Sequence, residues 1–452
     1  MFFQDTQRGW TDDLPVCKQS GIGQSTNQTY REGGFRQEEH TFEDKSFHCK
    51  YDDSTFLYAV FDGHQGSKAA TFAMQRMAAE ILLGQLNGKG SDEEVKDVLR
   101  QAFITVERGY MDSIGDLLAE RASLQFDIPE GLNCYLPGAY QNFPNLEEKF
   151  KWLNFELSSG TSAVVALIYN NKLYVANVGD SRALLCKTDS NQVLRVVQLS
   201  IDHDLNNEDE LFRLSQLGLE VMAIKEGGHL GNQENTRCLG NYSVKGGYKE
   251  FKELFAAISE PIIAEPEIHG GIELDESCRF LLLMSKGLYR SLEATTGTDQ
   301  INKNLASMIV EEFRIQSTLT SVAQAVVDKI VRLHHDEFMR NSNNSSTNGK
   351  HDDITLLIRN FNYPLPNALK SPTVPPLINF NQIEHTMSTT TENVVSTTDN
   401  TSTSDTEMDD TRPTKNVNKK IQSYCDFSEF YEKFEKKKRE GTLPKLPDGF
   451  EW

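Results

Sequence analysis

Val60-Phe61-Asp62-Gly63-His64-Gln65-Gly66-Ser67 closes an aromatic and aliphatic run that begins at Phe56. Phe56 to Phe61 reads as a buried strand, and Asp62-Gly63 as the turn that ends it. A carboxylate at a strand end followed by Gly can offer a side-chain and a backbone oxygen to a hard divalent ion. An adjacent His can protonate a leaving oxygen. Alone the tripeptide is a weak signal, because Asp-Gly is above all a turn pair. Thr161–Tyr169 and Leu173–Val178 flank Asn170-Asn171, a pair that tolerates the left-handed backbone of a tight hairpin. Phe280–Met284 and Ile354–Ile358 are two more short apolar strands. Lys68 to Leu86 is a helix rich in Ala, Met and Leu, and Val322, Ala325, Val326, Ile330 and Leu333 repeat at helical spacing. Hairpins interleaved with long amphipathic helices predict stacked sheets covered by helices.

The 452 residues carry 66 acidic and 46 basic side chains, a formal net charge of −20. Such a balance argues against nucleic acid or an anionic membrane as partner, since both present phosphate charge. The seven cysteines are dispersed without a Cys-x-x-Cys pair, which suits reduced thiols and gives no zinc framework. No apolar run approaches the ~18 residues of a membrane span. These features predict a soluble, cytoplasmic protein. From Thr386 to Thr411, fourteen of 26 residues are Thr or Ser. That segment cannot bury enough surface to offset an ordering entropy of ~1–2 kcal/mol per residue, so it is expected to be disordered. The expected organisation is a folded domain over 1–365, a Pro/Thr/Ser-rich linker over 366–420, and a short amphipathic helix with its tail over 421–452.

The Asp-Gly-His segment has company. Ser159-Gly160-Thr161-Ser162, Gly179-Asp180-Ser181-Arg182, Asp202-His203 and His351-Asp352-Asp353-Ile354-Thr355 follow it in order. Together these motifs resemble the metal-dependent Ser/Thr phosphatases of the protein phosphatase 2C type, over roughly residues 15–362. The resemblance implies an α+β fold, a four-layer αββα sandwich with a two-metal site in the cleft between its sheets. In that family, two Mg²⁺ or Mn²⁺ ions activate a bridging water that attacks phosphorus. Asp62, the backbone of Gly63, and Asp352 match metal-ligand positions, and His64 matches the acid.

Other positions depart from the pattern. Lys286-Gly287 stands where the family has Asp-Gly, and Arg290 where it commonly has Asp. Near the N-terminus the family carries an Arg followed shortly by a Glu-Asp pair, whereas Gly21 to Gly34 holds Glu32 as its only acid and no Glu-Asp pair. Asp353 replaces an Asn. Two unit charges ~4 Å apart interact by ~4 kcal/mol at an effective dielectric of ~20, and a divalent ion doubles this. Lys286 directed into the cleft would therefore oppose metal entry and replace the metal as counter-ion to Asp62 and Asp352. Turned to solvent, it would leave a weak single-metal site with residual Mg²⁺ or Mn²⁺ binding. In both cases the two-metal constellation is incomplete, His64 is vestigial, and no catalytic residue is assigned. Asp180 and Arg182 read as hairpin-corner hydrogen bonders, His203 and His269 as turn or packing residues, and His334-His335 as the end of a helix.

Beyond the linker, Phe427, Phe430, Tyr431 and Phe434 fall at i, i+3, i+4 and i+7, one aromatic stripe. Asp426 can cap the first turn, and Lys433 with Lys436 to Arg439 suits the C-terminal end of the dipole. A helix of ~12 residues on a flexible tether gains stability only by docking its apolar face. Trp10 to Pro15, Leu82 to Asn87, Glu208 to Gly218, Pro261 to His269 and Asp426 to Tyr431 resemble the pseudophosphatase family that binds TGF-β-activated kinase. That resemblance implies a protein-kinase partner, TGF-β-activated kinase, held at its C-terminal lobe and driven to autophosphorylation. Phe427 is the leading anchor, with Tyr424, Asp426, Phe430, Tyr431 and Phe434 beside it. The Thr/Ser-rich arm reads as a target for a stress-activated MAP kinase. The expectation is a catalytically inactive adaptor in TGF-β or stress signalling; its rival is a working Mg²⁺/Mn²⁺-dependent phosphatase with a regulatory tail. A phosphopeptide-binding module has only Lys286 and Arg290 in its favour.

Overall fold

The computed structural model describes residues 14–31, 33–126, 144–341 and 349–366. The strands are β1 (Ser20–Ser25), β2 (Gln28–Tyr30), β3 (Arg36–Gln37), β4 (Lys45–Lys50), β5 (Thr55–His64), β6 (Gly160–Tyr169) and β7 (Lys172–Val178). They continue with β8 (Arg182–Thr188), β9 (Leu194–Gln198), β10 (Leu239–Gly240), β11 (Glu267–Glu273), β12 (Cys278–Met284), β13 (Lys350–His351) and β14 (Ile354–Asn360). The helices are α1 (Lys68–Leu82), α2 (Asp92–Ser113), α3 (Gly115–Phe126), α4 (Pro144–Leu157) and α5 (Glu208–Gln216). After them come α6 (Val221–Gly227), α7 (Lys286–Thr296), α8 (Ile301–Phe313) and α9 (Leu319–Asn341).

Two antiparallel sheets stack face to face. One runs β11-β7-β6-β5-β4, with β10 paired to the start of β6; the other runs β1-β14-β12-β8-β9. Alternation along the strands builds the layers, because successive side chains point to opposite faces. In β5, Tyr58 and Val60 face the inter-sheet core with Val164 and Ala166 of β6 and Leu281 and Leu283 of β12. Leu57, Ala59 and Phe61 face the other way, onto Ala73, Met77 and Ile81 of α1 and Leu99 and Phe103 of α2. Phe280, Leu282 and Met284 of β12 likewise meet Leu288 of α7, Ile309 of α8 and Val326 of α9. The result is the αββα order expected of an α+β sandwich. A smaller core of Leu214, Ile224, Leu230, Leu254 and Ile262 holds the insertion between β9 and β11.

Local chemistry accounts for the boundaries. Asn170 and Asn171 both adopt positive φ, 50° and 62°, at the predicted hairpin. Helix α1 ends at Leu82, short of the predicted Leu86, because Gly84 takes φ +94°. Asp62-Gly63 is not the turn that its sequence suggests. Strand β5 runs on through His64, paired Asp62 to Ser162 and His64 to Gly160, and the chain turns at Gln65 and Gly66. On α9, Leu333 lies outside the buried stripe, which takes in Val322, Val326, Val327 and Ile330. Beyond 366 lie the linker and the C-terminal segment with Tyr424, Asp426, Phe427, Phe430, Tyr431 and Phe434, all outside the described residues.

Candidate functional site

The ends of β5, β8, β12 and β14 bring the motif residues to one end of the sandwich. Asp62 lies near the end of β5, and its Oδ2 accepts the backbone N–H of Lys286 at 2.8 Å. Lys286 is the first residue of α7, so a helix N-terminus with its partial positive charge points at this carboxylate. Gly287 is obligatory at the next position. A Cβ there would lie 2.0 Å from the carbonyl oxygen of Asp353. That close approach seats α7 against the Asp352-Asp353 turn.

The Lys286 side chain turns into the cleft, but to different partners than Asp62 and Asp352. Its ammonium donates to Glu234 at 2.7 Å and stands 3.0 Å from Oδ2 of Asp180. Asp180 is 1% exposed, and Asn235 donates to its Oδ1 at 3.0 Å. Asp180 is thus an acceptor of the cleft as well as a corner residue. Burial works against both charges, yet each holds the other: Asp180 stays below the usual carboxylate range and Lys286 above the usual ammonium range. Arg182 pairs instead with Asp202 at 2.6 Å and stacks 3.8 Å from the centre of the Tyr289 ring. Arg290 is half exposed and pairs with Glu293 at 2.9 Å.

An adjacent acid pair that no motif reading singled out, Glu43-Asp44, stands directly before β4. Asp44 is 1% exposed; its carboxylate lies against the Thr355 and Ser285 hydroxyls, but neither oxygen meets a donor in good hydrogen-bond geometry. Burial and the neighbouring Asp353 and Asp352 push its pKa up to about 7. Burial and the charges of Asp44, Asp352 and Asp180 push Asp62 well above its usual range. Glu43 accepts the Gly66 N–H at 2.8 Å and so ties the Asp-Gly-His turn to this stretch. Asp353 fixes the arrangement. Its Oδ1 accepts from the backbone and side chain of Asn27 at 2.7 and 2.8 Å, and its Oδ2 from the Glu43 N–H at 2.7 Å.

Asp352 is more than half exposed, accepts the Asp353 N–H at 2.8 Å and lies 3.7 Å from Nε2 of His40. Gly63 runs beside Glu43, whose carbonyl oxygen would lie 2.6 Å from a Cβ at that position. His64 packs on Gly160, its Nε2 buried without a partner, and burial lowers its pKa to about 4, so the ring is neutral. As placed, no three His, Cys, Asp or Glu side chains among the described residues are grouped to hold a metal ion. His203 is a packing residue, whereas His334 and His335 lie inside α9, which runs on to Asn341, and not at the end of a helix. His203 bonds the Gly179 carbonyl at 3.2 Å, and His334 and His335 pack on Tyr30.

Comparison with known proteins shows what the chain is similar to. A model described as Protein phosphatase 2C matches residues 114–335. "Probable protein phosphatase 2C 4" of Paramecium tetraurelia is 28% identical over 293 residues, 64% of this chain and 81% of that protein. "TGF-beta-activated kinase 1 and MAP3K7-binding protein 1" of Caenorhabditis elegans is 25% identical over 354 residues, 77% of this chain and 83% of that protein. A solved serine-threonine phosphatase 2C from Toxoplasma gondii is 15% identical, with a TM-score of 0.43, over 76% of this chain and 96% of that one. With its ordered motifs and its αββα layers, the chain has a fold of the protein phosphatase 2C type.

Proposed function

We propose that this protein is a catalytically silent, cytoplasmic adaptor that binds and activates a kinase of the TGF-β-activated type. Its C-terminal aromatic segment would engage the C-terminal lobe of that kinase. The observation that carries this reading is Lys286, whose ammonium pairs with buried Asp180 while its amide engages Asp62. On this reading the residues do not fit two divalent ions. Mg²⁺ needs a near-octahedral set of oxygens, and here a cation takes the place of one carboxylate and neutralises another. The relative named as a kinase-binding protein supports the same reading.

Asp44 favours a second reading, an active Mg²⁺/Mn²⁺-dependent phosphatase. Its buried carboxylate beside Asp62, with no cation paired to it among the described residues, is what a site for a metal ion would present, and other relatives are named as phosphatases. Turnover separates the two. The full chain with excess Mn²⁺ is expected to release no phosphate from a phosphothreonine peptide above background, and metal-dependent release would establish the enzyme. Phe427→Ala is expected to abolish co-precipitation of the kinase catalytic domain; undiminished capture would refute docking through this segment.

A further inference from the structure

At the end of the sandwich opposite the cleft, a cavity of about 560 Å³ opens between the Asn170-Asn171 hairpin, the turn after β11 and the end of β14. Arg359 lines it and is 6% exposed. Its guanidinium lies 5.2 Å from the ring centres of both Phe56 and Phe361, and 6.0 Å from that of Tyr58. Nη1 donates to the Asn360 carbonyl and the Tyr58 hydroxyl lies against the guanidinium, but the buried Nε–H meets no acceptor in good geometry. No carboxylate among the described residues forms an ion pair with it. Of the three acids on the rim, Asp53 pairs with Lys50 at 2.6 Å and Asp275 with Lys187 at 3.7 Å and with the Ser277 hydroxyl, while Glu276 forms no ion pair among the described residues, with Arg359 or otherwise.

A buried cation without a counter-ion is rare, because desolvation opposes it and aromatic faces return only part of that energy. Proteins keep such a group where a ligand completes it. The volume falls in the ~300–1,000 Å³ range of small-ligand pockets. We propose that this cavity is a carboxylate-binding site, with the Arg359 guanidinium as its anchor. A planar carboxylate fits because guanidinium offers parallel donors at matching spacing. The carboxylate can be free, on a small organic acid, or borne by an acidic side chain of a protein segment.

The test is thermal unfolding and calorimetry of the full chain with three probes at about 10 mM, a concentration that reveals millimolar binding. The probes are glutarate, a blocked Ala-Glu-Ala tripeptide and inorganic phosphate. Glutarate or the tripeptide is expected to raise the melting temperature saturably, and the tighter of the two identifies the source; phosphate is expected to leave it unchanged. Arg359→Met should weaken that binding about tenfold or more. Ser54→Trp, which fills the mouth of the cavity from an exposed position and leaves Arg359 in place, should do the same and decides the matter if Arg359→Met does not fold. The proposal is overturned if neither carboxylate binds, if phosphate alone binds, or if binding survives either folded substitution.

Discussion

The ammonium of Lys286 lies 3.0 Å from Oδ2 of Asp180, and both groups sit in the cleft where the fold's two sheets end. The side chain of Asp180 is almost wholly removed from water, at 2% exposed, while that of Lys286 keeps 24%. The pair is therefore an internal neutralisation of the cleft and not a surface contact.

Removing one member should expose that dependence. Lys286→Met keeps the stem and deletes the charge, leaving Asp180 buried and unpaired. A loss of about 3 kcal/mol is expected, at the lower end for a broken buried pair because Lys286 is partly solvated. Urea unfolding at pH 7 measures it. The deficit should shrink as pH falls, since Asp180 without its ammonium takes up a proton more readily. An unchanged midpoint would mean that the pair contributes nothing to stability.

Asp44 gives a second, opposite pH signature. Its folded pKa of about 7 lies above the ordinary carboxylate value, so the native state binds a proton that the unfolded chain releases. Stability from this group is present below about pH 4, declines as pH rises to about 7, and is level above that. Asp44→Asn should flatten this decline and raise stability at pH 8 relative to wild type. Urea midpoints followed from pH 4 to pH 8 decide the matter. Parallel curves for the two proteins would rule out the assignment.

Glu210 in the insertion behaves in the usual acid sense. Its carboxylate is 2% exposed, and Arg213 reaches one oxygen at 2.9 Å, Arg237 the other at 2.6 Å, with the Thr236 hydroxyl also at 2.6 Å. Burial would raise its pKa, but these donors bring it down to about 2. The stabilisation is complete above the unfolded value near 4.5 and is lost as pH falls toward 2. Glu210→Gln should cost about 3 kcal/mol at pH 7 and remove most of the acid dependence. Denaturant melts at pH 7 and pH 3 measure both effects.

The layers were legible because they rest on local signals. The apolar runs of β5, β12 and β14 and the Asn-Asn hairpin each declare themselves within ten residues. Asp62 and Lys286 were legible as motif positions, but the partner of Lys286 was not. Asp180 and Glu234 come from loops on other elements, and no spacing along the chain predicts that meeting. The Glu43-Asp44 pair escaped for a similar reason. It lies beyond an irregular stretch after β2, and the visible cue was an acid pair immediately before the Lys45–Lys50 strand. Strand β5 outran its Asp-Gly turn signal because pairing with β6 supplies partners through His64, and ladder bonds outweigh a dipeptide preference.

Lys286 occupies the first position of α7, where the dipole of a helix favours an acid over a base by about 0.3–1 kcal/mol. The backbone amide that serves Asp62 belongs to the main chain and survives any side chain placed there. An aspartate at this point would need no rebuilt loop, only the release of Asp180 from its present cation. The main-chain geometry at this corner is thus fixed independently of the charge that the side chain at position 286 carries into the cleft.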